Sequence, residues 1–375
     1  TRRDNKLIKV LHYTPGFHGG GIESRLLDWY RNMDREKVQF FLIKLNQIDN
    51  TEDIKEFLSL GGKFFNLPPF NLTTGLRLEK MIYNIIVEEK IDIVHVHDTN
   101  SGLFALKAAK RANVKCRILH SRTTNFLPNE KNKIIKQAFM KIAPKFATDY
   151  FACSFNAGIW GCGKNNADEI VVIKNGIQDD RYQYNSAIRM SIRKELGIEN
   201  KFVVGTVSRL SPQKNIPFLI KIFNDYYKID NNSILLIVGG GDEQSVIDEI
   251  NNYPEIKNNV IIAGPKKNIW DYYMAMDIFC GTSFYEGFGT TAIEAQASGL
   301  PTLLSQGFPA EIEVTNFVRR LDIVDTEEWI RNIKEFKNER YSESGIKSIA
   351  AYGYSAKKVA KDLENFYLEH YNEFN

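Results

Sequence analysis

The sequence predicts an α/β protein of two domains, each a Rossmann-like, doubly wound parallel sheet. Short apolar runs alternate with helical stretches along most of the chain, the pattern of strand-crossover-strand units. At 375 residues the chain exceeds the size at which one hydrophobic core usually stops growing. An Asn175-Gly176 turn parts the runs into two sets, so the domains are expected at 1–170 and 171–354, followed by an amphipathic helix from Ser355 to Tyr371. Ligands of such sheets bind beyond the carboxyl ends of the strands, so the expected site is a cleft that the two domains face.

The first strand is expected over Leu7–Tyr13 and runs into Pro15-Gly16-Phe17-His18-Gly19-Gly20-Gly21, ahead of an apolar helix face beginning near Leu26. Consecutive glycines at a strand-to-helix junction let the backbone bend tightly and offer N–H groups to an anion, which makes Gly20 and Gly21 binding candidates. Further strands are expected over Val38–Leu45, Ile91–His97, Arg117–His120 and Tyr150–Cys153. The spacing of His95 and His97 puts both on one face of an extended strand. They look like a metal pair, but no third ligand is evident, so they are read as structural and no metal is expected. Within 130–146, Lys131, Lys133, Lys136, Lys141 and Lys145 are interleaved with Ile134, Ile135, Phe139, Met140 and Ile142. Such a segment either lies on an anionic membrane surface or packs as a core helix with a solvated lysine face.

In the second set, strands are expected over Phe202–Ser208, Ile234–Val238, Val260–Ala263, Ile278–Gly281 and Thr302–Ser305. After the first of these, Arg209 and Lys214 project two cations from the loop Arg209-Leu210-Ser211-Pro212-Gln213-Lys214-Asn215. An Arg fork and a mobile Lys charge together suit a diphosphate. Gly239-Gly240-Gly241 follows the next strand, but position 244 is Gln, so no dinucleotide fingerprint is completed. The most informative run is Glu286-Gly287-Phe288-Gly289-Thr290-Thr291-Ala292-Ile293-Glu294. It sets two carboxylates eight positions apart across a glycine turn that opens a helix over Thr290–Ser298, closed by Gly299-Leu300-Pro301. Amides around Thr290 and Thr291 at the positive end of that helix suit an anion.

That run resembles the Glu-x7-Glu signature of retaining glycosyltransferases of family 4, which have the GT-B fold. The segments around Arg209 and Lys214, and Glu294-Ala295-Gln296-Ala297-Ser298-Gly299-Leu300-Pro301, are similar to that family too, especially to members that build bacterial capsules and exopolysaccharides. The resemblance implies that Glu286, with the backbone at Phe288 and Gly289, holds the sugar of a nucleotide-sugar, and that Glu294 holds the ribose. Arg209 and Lys214, with amides near Gly21, Thr290 and Thr291, would stabilise the diphosphate, and His120 would approach the sugar near its reaction centre. Gly264-Pro265-Lys266-Lys267-Asn268 would line the nucleobase, which makes Lys266 and Asn268 candidates. The resemblance also implies that the last helix packs back on the first domain. Two departures stand out: Thr282 where Pro often precedes the Ser, and Thr290-Thr291 in place of small or apolar residues.

The expected activity is therefore a metal-independent, retaining transfer from a nucleotide-sugar, expected to be a UDP-sugar, to a saccharide or lipid-linked saccharide acceptor, with no cofactor. The competing readings are a nucleotide-sugar epimerase of the same fold and a noncatalytic nucleotide-sugar-binding partner of a polysaccharide assembly. A nicotinamide oxidoreductase fails on the missing fingerprint. No D-x-D triplet is present to hold a divalent ion. A net charge of +3, without a recognition motif, argues against a nucleic-acid partner. Cys116, Cys153, Cys162 and Cys280 have no zinc-site spacing and are expected to be reduced packing residues. With no run of 18 apolar residues and no secretory segment, a cytoplasmic protein is expected, with the inner membrane face as a possible peripheral contact.

Overall fold

A computed structural model describes residues 6–14, 21–45, 52–70, 74–126, 132–337 and 339–374. Two compact units partition the chain, one of residues 1–176 with 356–375, the other of 177–355. The first contains β1 (Ile8–Thr14), β2 (Val38–Leu45), β3 (Lys63–Leu67), β4 (Ile93–Val96), β5 (Cys116–Ser121), β6 (Asp149–Ala152) and β7 (Ile170–Val172). They form one parallel sheet in the order β3-β2-β1-β4-β5-β6-β7. The second contains β8 (Phe202–Val207), β9 (Ser233–Val238), β10 (Val260–Gly264), β11 (Ile278–Gly281), β12 (Thr302–Ser305) and β13 (Val318–Leu321), parallel in the order β10-β9-β8-β11-β12-β13. Each sheet is doubly wound, with its order reversing between β1 and β4 in one and between β8 and β11 in the other. Those reversals are where strand-end loops diverge and leave room for a ligand.

Both faces of the first sheet are buried, as a parallel sheet flanked by crossover helices requires. Leu11, Tyr13, Phe41, Ile43, Val94, Val96 and Leu119 pack on one face with the helices Gly75–Glu89 and Gly102–Arg111. Ile8, Val10, Phe40, Ile93, Ile118 and Phe151 pack on the other, under the helices Gly21–Asn32 and Ala356–Phe374. The last helix belongs to the first unit and contributes Val359, Ala360, Leu363 and Tyr367 to that core. In the second unit, Val204, Leu235, Ile237, Ile278 and Leu303 belong to a large buried cluster.

Three strands escape the sequence reading, and all are sheet edges or short. In β3 Lys63 and Asn66 are exposed, while β13 carries Arg319 and Arg320 between its two buried ends. Charge on an edge strand blocks further pairing and erases the apolar run by which a strand is found. Ile170–Val172 is the outer strand of the first sheet, not the start of the second domain, and the division of units falls after Gly176.

Candidate functional site

In the second unit the strand-end loops at the β8/β11 reversal are stitched together. Phe284 N donates to Gln213 O (2.9 Å), Gln213 Nε2 to Tyr285 O (2.8 Å), and Thr282 Oγ1 reaches the carbonyls of Lys214 and Asn215 at 3.1 and 3.0 Å. Thr282, one of the two departures noted in the sequence, thus fastens one loop to the other through a hydroxyl that Pro lacks. The outcome is a 2.5 Å ion pair between Lys214 Nζ and Glu286 Oε1, which also accepts from Ser283 Oγ at 2.7 Å. Glu286 is nearly buried, and its backbone N–H donates to Gly307 O at 2.9 Å. A Cβ at Gly307 would lie 2.3 Å from Ser283 O, so only glycine allows that approach. Lys214, Ser283, Glu286 and Thr291 share one small pocket with Thr206, Ser208 and Phe308.

Gly289 takes φ 89°, and a Cβ there would overlap the Phe308 ring at 2.5 Å. It turns the chain into the helix Thr290–Ala297, whose positive end Thr290 and Thr291 occupy. Phe288 is buried against Tyr354 (ring centroids 5.3 Å) and anchors the turn. Glu294, 3% exposed, lies within 2.9 Å of the Tyr273 hydroxyl, which is also 3.2 Å from Thr291 O. Tyr273 receives no role from sequence reasoning because its partner Glu294 lies on a separate helix, whereas Ser283, only three positions before Glu286, is noted there beside Thr282 but given no role. Arg209 is exposed beyond β8. Lys266 stands over the Tyr272 ring at 5.3 Å, and Asn268 Nδ2 holds Asp271 Oδ2 at 2.5 Å at the start of the helix Ile269–Ala275.

Gly239 and Gly241 take φ values of 142° and 141°. Leu210 N donates to Gly240 O (2.8 Å), and Asp242 N returns a bond to Leu210 O (2.9 Å). A Cβ at Gly239 would be 1.8 Å from Ser208 O. These glycines serve backbone contact with the loop that carries Arg209.

In the first unit, alternation along β1, β4 and β5 puts His12, His95, His97 and His120 on the face shared by Val10, Ile93 and Ile118. A third imidazole therefore does stand beside the His95/His97 pair, contrary to the sequence reading: ring nitrogens of His12, His95 and His97 lie within 4.8 Å of one another. They are engaged in direct contacts. His12 Nδ1 is 3.0 Å from His97 Nε2, His95 Nε2 is 2.9 Å from His120 Nδ1, and His95 Nδ1 is 2.7 Å from Tyr367 Oη. Arg122 bonds His97 Nδ1 (3.2 Å) and Asn175 Oδ1 (2.9 Å) and stacks over Trp29. With both nitrogens of His95 in use and a guanidinium alongside, the cluster suits shared protons better than a cation. Burial, reinforced by Arg122, pushes the His12 imidazole down to about 3, and the same two causes hold His120 well below its ordinary value. His95 and His97 are likewise lowered, by burial first. His120 is fully enclosed, and its Nε2 has no hydrogen-bond partner among the described residues.

Gly20 lies outside the described residues, and Gly21 is the first residue of the helix Gly21–Asn32. Lys131 also lies outside them, while Lys133–Ile142 forms a helix that exposes Ile134, Ile135 and Ile142 beside Lys133 and Lys141 and buries Met140. Among the described residues no helix is long and apolar enough to cross a membrane.

Two family models match: "Glycosyltransferase Family 4" over residues 19–181 and "Glycosyl transferases group 1" over 189–359. The chain is 29% identical over 370 residues to EpsF of Bacillus subtilis (strain 168), whose name assigns it provisionally to the glycosyltransferases; the match covers 96% of each. It is 31% identical over 239 residues, 60% of each chain, to the UDP-Gal:alpha-D-GlcNAc-diphosphoundecaprenol alpha-1,3-galactosyltransferase of Escherichia coli. The crystal structure of Anabaena HepE in complex with UDP shares the fold at a TM-score of 0.76 and 19% identity, over 96% of this chain and 99% of that one.

Proposed function

We propose, for a chain that belongs to the family 4 glycosyltransferases of GT-B fold and is related to bacterial polysaccharide-synthesis enzymes, a retaining transfer from a UDP-sugar to a saccharide or lipid-linked saccharide. The observation that carries this reading is the Lys214–Glu286 pair held between the β8 and β11 loops, beside the first turn of the helix Thr290–Ala297. A lysine and helix-end amides offer fixed positive charge to a diphosphate, and the carboxylate beside them offers acceptors to sugar hydroxyls. The Escherichia coli relative is named for a UDP-sugar and a diphosphoundecaprenol acceptor, and the Anabaena structure holds UDP, which supports uridine and a lipid-linked acceptor.

In this mechanism Lys214, with Arg209 and the Thr290 and Thr291 amides, stabilises negative charge as it gathers on the leaving diphosphate. Preorganised charge of this kind is usually the largest catalytic term. Glu286 and the Phe288-Gly289 backbone hold the sugar, Glu294 holds the ribose while Tyr273 orients it, and Lys266 and Asn268 lie along the base. Glu286 is bonded to Lys214 and Ser283, so it orients the sugar and does not attack it. The leaving phosphate takes the acceptor's proton on the same face, which retains the anomeric configuration without a carboxylate nucleophile or a metal. The reaction takes place at the cytoplasmic side of the membrane, which the exposed isoleucines and lysines of Lys133–Ile142 contact.

A panel of nucleotide-sugars tests the reading. A ligand present at about 100 times its Kd adds about 2.7 kcal/mol to the folded state, so the right donor raises the melting temperature. Product analysis with that donor then reads the anomeric configuration. No stabilisation by any uridine nucleotide, or an inverted product, refutes the corresponding part.

A further inference from the structure

Every histidine contact on the buried face has a direction that the chemistry of its end groups fixes. Arg122 can only donate, so His97 Nδ1 accepts from it and His97 must carry its proton on Nε2. That proton goes to His12 Nδ1, and His12 in turn is protonated on Nε2. The second chain starts at Tyr367 on the last helix. Its phenol is fully buried among the rings of Phe40, Phe366 and His12, and its one polar contact among the described residues is His95 Nδ1.

A buried phenolic proton needs an acceptor, so Tyr367 donates to His95 Nδ1. His95 then carries its proton on Nε2 and donates it to His120 Nδ1. The opposite polarity would strand the phenolic proton and leave His120 Nε2 an acceptor without a donor, two orphaned groups where the first arrangement has one. We propose that Tyr367, acting through His95, fixes His120 as the tautomer protonated on Nε2, so that this imidazole serves sugar transfer as a neutral hydrogen-bond donor and not as a general base. Tyr367 and His95 are positioning residues. The part concerning transfer rests on the function proposed above; the tautomer itself does not.

The Nε2 of buried His120, without a hydrogen-bond partner among the described residues, is the end of this chain and the point at which an acceptor oxygen of the substrate would be recognised. Burial and the neighbouring guanidinium both oppose a second proton on the ring, which keeps it a donor without making it an acid.

The test uses the full chain with 15N-labelled histidine, the ring signals of His120 being assigned with His120→Gln. Long-range proton–nitrogen correlations at pH 7.5 are expected to show His120 protonated on Nε2 alone. Tyr367→Phe keeps the ring and its packing but removes the donor; the His120 signals are expected to lose that single form. The same variant is expected to lower kcat about tenfold or more with the KM for the nucleotide-sugar within about twofold. A His120 protonated on Nδ1, or doubly protonated, in the wild-type chain overturns the proposal whether or not the variant folds. An unchanged His120 spectrum in a folded Tyr367→Phe removes Tyr367 from it, even if kcat falls. Absence of sugar transfer by the wild type refutes the proposed function and the His120 role built on it, while the spectrum still decides the tautomer.

Discussion

Mild acid should unfold the first unit well before the second. His12, His95, His97 and His120 are buried and held neutral, whereas an unfolded histidine titrates near 6.5. Below about pH 6.5 the unfolded chain therefore binds protons that the native state refuses, and stability falls with pH. His12, pushed down to about 3, gives the magnitude: the loss between pH 8 and pH 5.5 is about 1.4 kcal/mol, and it continues to grow until the pH approaches 3. The other three shift in the same direction. If all four stay neutral, the loss at pH 5.5 is about 5.6 kcal/mol, comparable with the whole stability of an ordinary domain. Carboxylates remain largely ionised at that pH, so they do not mask the effect. The second unit contains no histidine and is the internal control. Urea unfolding at pH 8.0, 6.5 and 5.5 measures both, with Trp29 and Trp160 reporting the first unit and Trp270 and Trp329 the second. A first-unit midpoint that does not move between pH 8.0 and 5.5 refutes the claim that these imidazoles are buried neutral.

Lys214→Ala should lower turnover more than about tenfold, the effect of losing about 1.4 kcal/mol of transition-state stabilisation; wild-type turnover removes Lys214 from the diphosphate clamp. Glu294→Ala should weaken binding of free nucleoside diphosphate by calorimetry, while Glu286→Ala spares that binding and impairs transfer. Equal losses contradict the division of roles. Transfer should persist in excess EDTA, and its abolition, with recovery on adding a divalent ion, counts against metal-independent chemistry. The helix Lys133–Ile142 should bring the protein down with anionic liposomes at low salt and release it at high salt, each cation near the surface adding on the order of 1 kcal/mol. Protein that stays in the supernatant at low salt ends the membrane reading.

Local signals were legible in the sequence. The central strands announced themselves as apolar runs because both faces of a parallel sheet are buried, and the Glu286 to Glu294 run announced a glycine turn into a helix because a φ of 89°, as at Gly289, strongly favours glycine. The edge strands β3 and β13 were hidden by the charges that keep edges from pairing. Gly239 and Gly241 were visible as glycines, but their purpose, room for the carbonyls of Ser208 and Leu210, depended on a neighbouring loop.

What only the tertiary structure decided is partnership between distant segments. Lys214 and Glu286 are 72 positions apart and meet because β8 and β11 are neighbours across the sheet's reversal. His12 joined the His95/His97 pair only when β1 paired with β4, and Tyr367 reached His95 from 272 positions away when the last helix closed over that face. Residue types and local periodicity follow from the covalent order of the chain. Which buried polar groups satisfy one another follows from strand order and helix packing, and a single sequence carries no direct record of either.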